Sequence, residues 1–98
     1  MRVRWLTLAL DDLDHAVDFI AADNPGAAKR VAGRIWQAAQ TLARHPSMGR
    51  TGRVAGTREW VIQGTPYIMA YQVRDDALEI LRVLHAAMEW PDEFHPSP

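Results

Sequence analysis

The sequence contains no cysteine. That single absence removes disulfides, thiolate nucleophiles and cysteine-based zinc sites, and it fits a reducing compartment, so a cytoplasmic location is expected. Lysine is almost missing as well: Lys29 stands alone, and the other basic residues are arginines. Tyrosine occurs only at Tyr67 and Tyr71, with none further on. The four histidines have no paired spacing, so no metal site is expected. The glycines lack the phosphate-loop pattern and its lysine, so neither a nucleotide nor any other cofactor is expected. No stretch approaches the ~20 apolar residues of a membrane span. The first ten residues, with Arg2 and Arg4 and a short apolar run, lack the core of a signal peptide, so no membrane partner is expected.

A chain of 98 residues with 48% apolar and 23% charged residues suits one globular domain and leaves no room for two. The domain is expected over residues 1–91, with an irregular tail over 92–98 set by Pro91, Pro96 and Pro98. Net charge is −1, but the charge is unevenly placed. Between residues 24 and 74 there are eight basic residues and one acid, Glu59, a formal charge of +7. Such a stretch attracts nucleic acid or an acidic protein segment, and arginine favours bidentate contacts with phosphate or carboxylate. The alternative is a solvated basic face.

The period of the apolar residues sets the elements. Residues 3–8 alternate loosely and predict a first strand. Leu10, Leu13, Val17 and Ile20 then follow a helical stripe ending near residue 22 or 23, with Asp11, Asp12 and Asp14 expected near its N-terminus. Asn24-Pro25 starts a second helix as N-cap and first-turn proline. Ala28, Val31, Ile35, Ala38 and Leu42 form its buried stripe; Ala32, Trp36 and Ala39 widen it; His45-Pro46 stops it. Residues 47–56 read as a glycine- and arginine-rich loop. Residues 57–63, 67–73 and 77–85 read as three strands joined by Gly64-Thr65-Pro66 and Arg74-Asp75-Asp76. The fold class is α+β: an N-terminal strand, a helical hairpin and a three-stranded antiparallel meander, then a short tail.

That order, at this length, resembles the RelE/ParE superfamily of toxins. The segments that carry the resemblance are Gly49-Arg50-Thr51-Gly52-Arg53-Val54-Ala55-Gly56-Thr57-Arg58-Glu59, Gly64-Thr65-Pro66-Tyr67-Ile68, Ile80-Leu81-Arg82-Val83-Leu84-His85-Ala86 and Trp90-Pro91, with Asp23-Asn24-Pro25 at the second helix. The resemblance implies the toxin of a type II toxin–antitoxin pair, a growth inhibitor neutralised by a cognate antitoxin in a heteromeric complex as large as a heterotetramer. It also implies contact with operator DNA through the antitoxin.

Two mechanisms share this fold, and the fold does not choose between them. RelE-like members cut messenger RNA on the ribosome, which requires a base, an acid and cations around the phosphate. On that reading Arg58 and Arg82 clamp phosphate, His85 is the acid or base, and Arg50 and Arg53 hold RNA. Arg82 and His85 lie three residues apart on a strand, so they converge only if the strand bends. ParE-like members bind DNA gyrase and need no chemistry. A single lysine, placed in a helix, and no late tyrosine tilt the reading toward gyrase. A third reading is a non-toxic antitoxin-binding module.

Each nominated residue also has a structural reading. His85 closes its strand by bonding to backbone; Arg82 pairs with Glu59 or near Glu79; His15 and His45 sit on helix surfaces or ends. Trp5, Trp36 and Trp60 pack the core or sheet. Trp90, in an exposed tail, is the tryptophan placed for partner contact.

Overall fold

A computed structural model of the chain describes residues 1–94. The predicted tail over 92–98 therefore lies partly outside the described residues. The chain runs β1 (Arg2–Trp5), α1 (Thr7–Ala21), α2 (Pro25–Arg44), a 3-10 turn (Pro46–Met48), β2 (Arg50–Thr51), β3 (Arg58–Val61), β4 (Tyr67–Arg74) and β5 (Ala77–His85). The strands form one sheet in the order β1-β5-β4-β3-β2. β1 joins β5 in parallel, and every other pairing is antiparallel.

The predicted α+β architecture holds, with differences at its edges. The first strand stops at Trp5, and α1 starts at Thr7, two residues before the stripe suggested. The aspartates consequently miss the first turn, and Leu6 supplies no side-chain cap. The second helix starts as predicted: the Asn24 side chain accepts from the Ala27 N–H at 3.0 Å, and Pro25 follows. The predicted loop holds a two-residue strand, β2, paired with Arg58 and Glu59. The hairpin between β4 and β5 turns on Asp75 and Asp76, both at positive φ, which aspartate tolerates better than most residues.

Both helices lie on one face of the sheet. Ile35, Leu42, Met69, Tyr71, Leu78 and Ile80 are wholly buried between the layers. Trp5 and Trp60 pack against this core, but Trp36 does not join it. It stacks flat on Trp5, centroids 5.8 Å apart, with 54% of its surface exposed. The apolar seam through Ala32, Trp36 and Ala39 is therefore buried only at Ala39. Tyr71 ties the core to the turn beyond α2: its hydroxyl accepts from the Gly49 N–H at 2.9 Å and donates to the Pro46 carbonyl at 2.7 Å. A Cβ at position 49 would collide with that hydroxyl, so glycine is required there.

One irregularity shapes the site. Ala70 pairs with Arg82 and Tyr71 with Ile80, so Leu81 is an extra residue in β5. The bulge lets Leu78, Ile80 and Val83 all join the helix-side core despite their uneven spacing.

Candidate functional site

The sheet face turned away from the helices carries the arginines. Arg50 and Glu59 are partners across β2 and β3, while Arg4 and Glu79 are partners across β1 and β5. Glu59 is only 3% exposed at its side chain, yet it accepts from the Arg50 guanidinium at 3.0 Å and from Arg53 at 3.1 and 3.2 Å. The Arg53 backbone N–H adds a bond at 2.8 Å. Burial is the largest single influence on Glu59 and opposes its ionisation. The bonds from Arg53 and Arg50 together outweigh it, and the carboxyl sits below its ordinary pKa. Glu79 repeats the arrangement: burial opposes ionisation, while Gln72 at 2.9 Å and Arg4 at 2.7 Å lower the pKa.

The tail crosses this face. Trp90 lies over the Arg53 guanidinium, 3.7 Å from its ring centroid, and also packs near Phe94. Trp90, expected in an exposed tail, has its ring half-buried, and its Nε1 is buried with no hydrogen-bond partner. Behind it, Leu81, Gln72 and Thr57 share a cavity of about 340 Å³ with Asp92, Glu93 and Phe94. Ile68 and Leu84, register partners on this same face, are buried too.

β1 covers β5 only as far as Ile80, so the remaining edge of β5 lacks a strand. Asp12 of α1 fills that place. Its carboxylate accepts from the Val83 N–H at 2.9 Å and takes two bonds from Arg82, at 2.7 and 2.9 Å. The bidentate contact with Asp12 raises the Arg82 pKa above the ordinary arginine value. Arg82 thus pairs with neither Glu59 nor the neighbourhood of Glu79.

Arg58 faces the helix side beside Tyr71 and donates to the Gly49 carbonyl at 2.8 Å and the Ser47 carbonyl at 3.4 Å. His85 accepts from the Ala87 N–H at Nδ1, 3.0 Å, and meets the Tyr67 ring edge-on. Arg82 and His85 do line one groove, with His15, Phe19, Tyr67 and Met88. Arg82 reaches it over the uncovered edge of β5. The structure therefore brings Arg50, Arg53 and Trp90 together around Glu59, and Arg82 near His85, with Arg58 apart from both. Reasoning from sequence missed Glu59 and Asp12 as the organisers. Among the described residues no group of histidine and acid side chains is placed to hold a metal, and no helix is long and apolar enough to cross a membrane.

A helical hairpin on one side of a five-stranded sheet, with arginines across the other, defines the RelE/ParE class of toxin. Residues 3–90 match the family described as the ParE toxin of type II toxin–antitoxin systems, parDE, and the chain belongs to that family. It is 46% identical over 90 residues to the Y4kP protein of Sinorhizobium fredii, provisionally named a toxin, covering 92% of this chain and 93% of that one. It is 41% identical to the toxin RelE2 of Caulobacter vibrioides, over 88% of this chain and 96% of that one. A solved chromosomal ParDE toxin–antitoxin system from P. aeruginosa shares the fold, with a TM-score of 0.77 at 24% identity, covering 87% of this chain and 95% of that one. The chain is the toxin of a type II pair, and an antitoxin is its partner.

Proposed function

We propose that this toxin arrests growth by binding DNA gyrase in the cytoplasm, without chemistry of its own. The observation that supports this is that the cations nominated for RNA cleavage already serve the fold. Arg82 is held by Asp12, Arg50 and Arg53 by Glu59, and Arg58 by two carbonyls. Cleavage needs cations already aimed at the phosphate where charge develops, with an acid and a base beside them. On this reading the antitoxin supplies the operator-binding part of the complex and covers the toxin's working surface, two toxins joining two antitoxins.

Two assays test the reading. Purified toxin should block supercoiling of relaxed plasmid by gyrase, and induction in cells should stop DNA synthesis before protein synthesis in pulse labelling. Early loss of translation with cut messenger RNA would instead select the RelE-like mechanism. The groove shared by Arg82 and His85 would then be the place to look, and Arg82→Ala should abolish cutting. Unimpaired growth would leave an antitoxin-binding module.

A further inference from the structure

The outer surface of the helical hairpin is divided by charge. α1 carries four aspartates and no lysine or arginine; α2 carries Lys29 and three arginines and no acid. Asp11, Asp14 and Asp18 recur at intervals of three and four and are exposed, opposite the buried Ala9 and Ala16. Lys29 and Arg30 are exposed as well, whereas Arg34, though exposed, reaches down to donate to the Gln63 carbonyl at 3.1 Å. Counting outward from the connection at 22–24 sets Asp18 within two residues of the level of Lys29 and Arg30, and Asp14 level with Ala32, beside Gly33. Yet among the described residues no ion pair joins the two helices.

Apolar surface and a low point accompany the charge. Trp36 and Leu10 are exposed on the hairpin. Gly33 sits mid-helix with no atom within 4 Å of where a Cβ would be, so nothing inside the chain requires so poor a helix former there. A glycine on an exposed helix face lets another helix come close.

We propose that this face binds a second copy of the same chain, the two hairpins packing back to back about a two-fold axis parallel to the helices. Rotation about such an axis keeps every residue at its height and exchanges the two helices. α1 of one copy then lies antiparallel on α2 of the other, and the contact occurs twice. Asp14 and Asp18 meet Lys29 and Arg30 of the second copy, and Gly33 admits the approaching helix. A partner of one charge would match half of this surface and repel the other half. A second copy matches both. The arginine face of each sheet stays outward, open to an antitoxin.

Sedimentation of the purified full-length chain tests the proposal. The expected result is a concentration-dependent dimer whose dissociation constant rises at least about tenfold on going to high salt, because the pairs are exposed and screened. Two charge reversals sharpen it: Asp14→Lys with Asp18→Lys, and Lys29→Glu with Arg30→Glu. Each variant alone should be monomeric, since the segments of its two helices that would face each other then carry the same sign. A one-to-one mixture should restore the dimer. Circular dichroism and antitoxin binding report that each variant is folded. A chain monomeric at every concentration, a dimer indifferent to reversal, or reversals that abolish antitoxin or gyrase binding in place of self-association would each overturn the proposal.

Discussion

On the helix side of the sheet, Leu42, Ile35, Leu78 and Ile80 are wholly buried, and apolar packing keeps them there. On the other side Glu59 and Glu79 are nearly as buried, and each depends on arginines laid over it. The first surface is sensitive to volume and indifferent to pH. The second reverses those sensitivities, because what holds it is charge pairing under a thin cover of tail.

The comparison can be broken from either side. The largest effect should come from Leu42→Ala, which opens a cavity in the helix-side core and should cost about 2–5 kcal/mol in denaturant unfolding, alike at low and high salt. A negligible change in midpoint would mean that face is not held by packing. Next comes Glu59→Gln, expected to cost about 1–3 kcal/mol at neutral pH by leaving Arg50 and Arg53 without a charged acceptor. The pH dependence follows from the lowered pKa values. Both carboxyls titrate below the ordinary 4.5 when folded, so their contribution is complete above that value and is lost as pH falls through the folded values. Glu59→Gln should therefore flatten the loss of stability on acidification, seen as unfolding midpoints that depend less on pH. The smallest change should come from Trp90→Ala, roughly 0.5–1 kcal/mol for the lost stacking on Arg53, read as a small drop in thermal midpoint. A drop as large as that of Leu42→Ala would make the tail part of the core.

The helix-side face was the legible one. The stripe through Ala28, Ile35, Ala38 and Leu42 and the start at Asn24-Pro25 depend on neighbours a turn apart, and period reveals those. The bounds of β5 were legible too, but its strict alternation was not, because the extra residue at Leu81 brings Val83 to the face of Leu78 and Ile80. The arginine face was not, because its partners lie far apart in sequence: Arg82 meets Asp12 across 70 residues and Arg4 meets Glu79 across 75. No period reports such pairs. One signal was present and unused. Glu59 is the only acid between residues 24 and 74, and a lone carboxylate among eight cations is placed to gather them. β2 escaped because two residues show no alternation. Trp36 misled because its spacing matches the buried stripe, while its ring lies over Trp5 at the margin.

The parallel pairing of β1 with β5 also orders events in time. Arg2 lies beside Ala77, so the earliest made of the five strands is joined by the latest made of them. At ~5–20 residues per second, β1 waits roughly 4–15 s for that neighbour while the hairpin has only itself to pack against. Asp12 likewise waits for Val83 and Arg82. The complete sheet is therefore withheld until β5 has been made, and for that interval the hairpin and β1 lack the strand that joins them to the rest.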